Sequence, residues 1–223
     1  MLISQVVTFS GLDGAGKSTL IGALKVALES KGLTVRVLTM YDDLSFYAFL
    51  RFLRDSIRAK IGKSVNYEVE KKTDPNFDFH KDSVLYRIIR SKTLKMLILP
   101  IDTLCICMFL ISRVPKKEIV LLDRTSYDYI LDFLPKKYGG LSISIALAFS
   151  FRPSLAVFVD TPAQVSFDRK GEFSVEYLTW RSVAYKAIFN EISREMVLNN
   201  YNNSVDYNVG ILLGEIVKPE IKI

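Results

Sequence analysis

The chain has 223 residues, 49% of them hydrophobic and 24% charged, a balance that fits one folded domain with a sizeable core and excludes a disordered or fibrous chain. Its net charge of +6 is concentrated: residues 51–95 carry twelve Lys/Arg against six Asp/Glu, and the rest of the chain balances at 18 of each sign. Most such runs are solvated faces, but an excess confined to one stretch also suits an anionic partner.

The apolar run Gln5–Ser10 is the first predicted strand, and the chain goes straight into it, which leaves no room for a signal peptide and leads to an expected cytoplasmic location. Directly behind it, Gly11–Ser18 reads G-L-D-G-A-G-K-S. This fits G-x-x-x-x-G-K-[S/T], the loop that wraps phosphates between a strand and a helix. Gly11, Gly14 and Gly16 free the backbone to curl around an anion, with Ala15 and Thr19 completing the loop and its exit. Lys17 brings a mobile positive charge to the outer phosphates, and the Ser18 hydroxyl is suited to Mg²⁺. The following helix, Lys17–Lys31, keeps Leu20, Leu24 and Leu28 on one face, is closed by Gly32, and adds its positive end to the same point. The pattern implies binding of a nucleoside triphosphate.

Thr34–Thr39 is apolar and β-branched and is expected to be a buried strand, followed by the acidic pair Asp42 and Asp43. Helical spacing recurs over Phe46–Ile61, a polar loop is expected over 62–82, and Ser83–Arg113 reads as a long helix bent or broken at Pro100. Within it, Met96–Ile111 is sixteen mostly apolar residues, shorter than the ~18 of a membrane span and interrupted by Pro100 and Asp102. A helix buried in the core, or facing a second subunit, is the expectation. Cys105 and Cys107 lie two apart in that run, cannot bridge each other on a helix, and fit a reducing compartment. Neither they nor the single His80 have metal-ligand spacing.

Glu118–Asp123 and Leu155–Asp160 are two more strands, each ending in an acid, with a short helix, the loop Pro135–Gly140 and an apolar helix between them. Thr161-Pro162 opens a helix that Arg169-Lys170-Gly171-Glu172 interrupts, and helix is expected again over Val175–Leu198. Ser204-Val205-Asp206 reads as a short last strand before a helix through Gly210–Val217. Strands alternating with helices imply an α/β fold with a parallel sheet covered on both faces. Ligands of such sheets sit at the carboxyl ends of the strands, the rim where Asp42, Asp123 and Asp160 are expected. An acid such as Asp123 can hold Mg²⁺ directly or through water, and Arg124 can reach a phosphate.

Three stretches together resemble the thymidylate kinase family: residues 6–20 with the phosphate loop, I-V-L-L-D-R-T-S-Y-D at 119–128, and R-P-S-L-A-V-F-V-D-T-P-A-Q-V at 152–165. A fourth, at 168–185, looks like a short lid followed by the family's long helix. The resemblance implies a P-loop NTPase three-layer αβα sandwich with a central parallel five-stranded sheet. It implies a single domain over 1–223, with an acceptor region at about 41–95 and a short helical lid at about 168–174. It also implies ATP and Mg²⁺ as cofactors and phosphoryl transfer to an anionic acceptor, a nucleoside monophosphate (dTMP + ATP to dTDP + ADP). By the same resemblance Asp13 faces the acceptor's sugar, Arg124 contacts its phosphate, and Arg169, with Lys170 as a second candidate, closes on the transferring group. A homodimer is expected, as related kinases pair through helices.

The chain departs from that family after the second strand, where a Glu-Pro-Gly stretch is replaced by M-Y-D-D-L-S, Met40 to Ser45. This leaves a second reading, a kinase of a hydroxyl group on a nucleoside, sugar or polymer end, with Asp42 or Asp43 taking the proton. A nucleotide-dependent switch protein is a third, weakened by the absence of N-K-x-D base recognition. No nucleic-acid module is present, which leaves only salt-dependent phosphate attraction for that class of partner.

Overall fold

The computed structural model describes residues 5–40, 92–133 and 140–217. Asp42, Asp43, the helix expected at Phe46–Ile61, the loop 62–82, the first part of the helix expected from Ser83, and nearly all of the basic stretch lie outside the described residues. So does most of the loop expected at Pro135–Gly140.

Five strands form one parallel sheet in the order β2-β3-β1-β4-β5. They are β1 (Gln5–Gly11), β2 (Val35–Thr39), β3 (Ile119–Asp123), β4 (Leu155–Asp160) and β5 (Glu195–Asn199). β1 is central: Val7 pairs with Leu121 on one side and Leu155 on the other. All of its residues from Val6 to Gly11 are buried, as a strand covered on both faces requires.

The period of two along the strands sends alternate residues to opposite faces. Val6, Val120 and Leu122 pack with Ile106 and Leu110 of α2 (Lys92–Arg113). On the same face, Phe158 lies against Tyr185 and Phe189 of α6 (Val175–Phe189), and α3 (Ser126–Phe133) packs between α2 and α6. α4 (Gly140–Ala148) touches α3. Val7, Phe9 and Leu121 face the other way, where α1 (Lys17–Glu29) packs against α7 (Val205–Ile216). α5 (Ala163–Lys170) follows β4 and packs on α6. This is the parallel sheet with helices on both faces that the alternation of elements implied.

Several expectations change. Residues 195–199 are not the tail of a helix. α6 ends at Phe189, capped by Asn190, and Glu195–Asn199 pairs with β4, with Val157 opposite Met196. The strand lies at the sheet edge, where only Leu198 is buried and Val197 stays 51% exposed, so it lacks the continuous apolar run that marks a central strand. Ser204-Val205-Asp206 is a helix start, not a strand: the Ser204 side chain accepts from the Tyr207 N–H, and Asp206 lies in the first turn. β2 is an edge strand rather than a buried one, held by the fork of Arg36 onto Glu118 at 2.8 and 3.2 Å.

α2 runs through Pro100 without ending. Pro100 stands on the exposed side, where the carbonyl it leaves unbonded can meet water. Nor is α2 buried all round. Leu99, Asp102, Ile106 and Leu110 face inward, while Ile101, Leu104, Met108 and Ile111 form an exposed apolar row. Both cysteines are free and half-buried, and burial raises both thiol pKa values. Among the described residues no helix is long and apolar enough to cross a membrane.

Gly22 lies inside α1 with open space where a side chain would stand. Gly22→Ala should therefore stabilise the fold by about 0.5–1 kcal/mol, read as a higher urea midpoint at unchanged slope.

Candidate functional site

β1 delivers the glycine-rich loop 11–18 at its carboxyl end, and the loop is packed so closely that its glycines have no room for side chains. A Cβ on Gly14 would come within 2.5 Å of the Ser166 carbonyl oxygen on α5, and one on Gly16 within 2.5 Å of the Asn200 amide. Both glycines have φ near +86°, in the left-handed region. Ala15 and Leu12 are fully buried beneath the loop.

The loop's carbonyls are engaged by side chains from four directions. Lys17 Nζ donates to Gly11 O at 3.0 Å and Leu12 O at 2.8 Å, and Arg169 donates to Gly14 O at 3.3 Å. Ala15 O accepts from Asn200 at 2.8 Å and Thr161 at 3.3 Å. What remains for a ligand is N–H groups and the start of α1, whose first turn carries no acid and whose N-cap Gly16 supplies no side-chain bond. Asn200 is itself braced: buried Asn208 donates to its side-chain oxygen at 3.1 Å and to Asn199 O at 3.2 Å.

Lys17 is only 7% exposed. Burial, and then the Arg124 charge, lower its pKa from the ordinary lysine value. Ser18 Oγ donates to Asp123 Oδ2 at 3.4 Å, while Asp123 Oδ1 is buried with no hydrogen-bond partner. Burial raises the Asp123 pKa against the pull of Lys17 and Arg124. An orphaned carboxylate oxygen beside a hydroxyl is a hard-oxygen donor set that fits Mg²⁺, an ion that keeps several waters and takes one or two carboxylates plus phosphate. Among the described residues no group of three or more His, Cys, Asp or Glu gathers as a self-sufficient metal cage.

Arg124, just past β3, pairs with Asp13 of the loop and with Asp128 at 3.0 Å. Its N–H continues the ladder to Phe9 O at 2.8 Å, and its φ of 69° turns the chain sharply out of the sheet. Lys170, the last residue of α5, pairs at the surface with Glu172 at 3.2 Å. Asp160 stands at the expected rim, but is drawn aside by Lys186 at 2.9 Å and does not line the cleft.

These groups meet in one cleft of about 750 Å³. Its walls include Asp13, Gly14, Gly16, Lys17, Ser18, Thr19, Asp123, Arg124, Arg169 and Lys170. Of the residues singled out in the sequence for the site, Gly11 and Ala15 lie behind this wall. Four cationic side chains face two carboxylates there, a surplus that favours anions. Sequence reading missed the β5–α7 turn, whose Asn200, Tyr201, Asn203 and Ser204 line the same cleft. The asparagine-rich run at 199–203 was its one visible signal. No protein-family model and no curated protein matches the chain.

Gly14→Ala should destabilise the protein by about 2–4 kcal/mol, adding backbone strain to a clash with fixed backbone. Gly171→Ala, at φ 64° but with its nearest atom 3.9 Å away, should cost only about 1 kcal/mol. Thermal unfolding of the two variants checks the difference.

Proposed function

We propose that this protein is an ATP- and Mg²⁺-dependent kinase that transfers the terminal phosphoryl group to a nucleoside monophosphate, in the manner the resemblance to thymidylate kinases implies. The observation that carries the reading is the convergence of three separate stretches of sequence, 13–19, 123–124 and 169–170, on one cationic cleft. A phosphate acceptor is already nucleophilic near neutral pH, so the protein has only to position two anions and neutralise their charge. In this scheme the loop amides and Lys17 hold the donor's phosphates. Ser18 and Asp123 would hold the metal, which when bound supplies charge neutralisation between the outer phosphates. Arg124 holds the acceptor phosphate beside Asp13, and Arg169 closes over the transferring group.

The deciding assay is ADP release across nucleoside monophosphates, nucleosides and sugars. Turnover with monophosphates alone supports the proposal. Turnover with a free hydroxyl, lost in Asp42→Asn or Asp43→Asn, replaces it with the hydroxyl-kinase reading. Within the proposal, Lys17→Ala should lower kcat by about 10²–10³-fold or more without unfolding the protein. Arg124→Ala should raise the acceptor KM far more than the ATP KM; equal losses for both would leave Arg124 a structural residue.

We also propose that the protein pairs as a homodimer through the apolar row of α2. Ile101, Leu104, Met108 and Ile111 are between 42% and 66% exposed, and a contiguous apolar row of this kind is a surface for association. Sedimentation equilibrium should give a dimer for the wild type and a monomer for Leu104→Glu/Met108→Glu; a monomeric wild type overturns the pairing.

A further inference from the structure

Asp128 has no exposed surface; it closes the stretch 119–128, and the sequence assigned it no role. Its carboxylate takes four hydrogen bonds from three parts of the chain. Oδ2 accepts from Ser10 Oγ at the end of β1 at 2.9 Å, and from the Thr125 N–H at 3.2 Å. Oδ1 accepts from Tyr185 Oη on α6 at 2.6 Å, and from Arg124 Nη1 at 3.0 Å. A buried carboxylate is tolerated only when paired and fully hydrogen-bonded, so this geometry holds its donors as firmly as they hold it. Tyr185 remains a donor, because burial and then the neighbouring Asp128 charge raise its pKa well above the usual phenol value.

The consequence falls on Arg124. This is the one non-glycine residue with positive φ among the described residues, an unfavourable backbone state that its surroundings must maintain. The two ends of its guanidinium go to different places: Nη1 to Asp128 behind it, Nη2 to Asp13 at the cleft. An arginine so pinned offers one fixed edge, whereas a free one would have to be ordered when a ligand arrives.

We propose that Asp128, braced by Ser10 and Tyr185, is the positioning residue that fixes Arg124 for the acceptor phosphate. This rests on the phosphoryl-transfer reading of the cleft. Because Tyr185 belongs to the helix that follows the lid, the same carboxylate also ties the acceptor arginine to α6.

The test uses the full-length protein. Asp128→Asn should raise the acceptor KM by about 10–100-fold and leave the ATP KM within about twofold, the loss expected for a charged hydrogen bond that acts on one substrate only. Tyr185→Phe keeps the carboxylate and should show a smaller change in the same direction, and it serves if Asp128→Asn does not fold. The double variant Asp128→Asn/Arg124→Ala should be no worse than Arg124→Ala alone, since Asp128 acts through that side chain. Losses that multiply, or a parallel rise in ATP KM, overturn the proposal. A readout independent of turnover separates this inference from the function it rests on. In nitrogen-15 NMR the Arg124 guanidinium should give resolved, slowly rotating Nη groups in the wild type that average in Tyr185→Phe and Asp128→Asn. If no acceptor is phosphorylated but the resonances behave this way, the positioning stands and the kinase reading falls; if they are averaged already in the wild type, the positioning falls.

Discussion

A parallel sheet has one rim at which every strand ends, and the candidate site exists because five strands share that rim. β1 is hydrogen-bonded on both sides and covered on both faces, so its chain can do nothing but run out between β3 and β4. Segments leaving three of the strands there become walls of the cleft: the glycine-rich loop after β1, Asp123-Arg124 at the end of β3, and Asn200, Tyr201, Asn203 and Ser204 after β5. β4 contributes at one remove, through Thr161 beneath the loop and Arg169 at the end of α5. Residues far apart in sequence are brought together with no long-range contact designed for each of them. One register, Phe9 opposite Asp123 and Val157, sets the height of them all.

The rim is polar, and its polar groups are mostly satisfied from within. Loop carbonyls are taken by Lys17, Arg169, Thr161 and Asn200, and Asp128 by four donors, so the chain's own side chains hold the loop's shape. One exception is informative. Asp123 Oδ1 is left without a partner beside the Ser18 hydroxyl. The Ser126 and Ser166 hydroxyls nearby are also buried without a partner, but of the three groups only Asp123 is a carboxylate in the wall of the cleft.

How far this was legible in the sequence depends on the range of the interactions. The sharp turn between β1 and α1 could be read because its requirements are local: glycines at fixed spacing, all within eight residues. β1, β3 and β4 could be read because strands buried on both faces must be apolar throughout. β5 could not: at the edge only Leu198 needs to be buried, and Glu195–Asn199 carries too little apolar signal to interrupt the helix read before it. Ser204 was misread because the V-D after it resembles a strand until the hydroxyl is seen to accept from Tyr207. Asp128 closes the stretch 119–128, but its role was not legible, for the opposite reason to the loop. Its partners Ser10 and Tyr185 lie 118 and 57 residues away, and its meaning exists only once the chain is folded.

β2 and β3 are neighbours in the sheet, yet the chain leaves one at Thr39 and rejoins the other only at Ile119. That single crossover includes residues 51–95, which hold the entire charge excess of the chain. The phosphate loop, the arginine it faces and the carboxylate behind that arginine all lie outside it. The registers of β1 with β3 and β4 are set by residues outside the 51–95 stretch, so its charge can change without altering them.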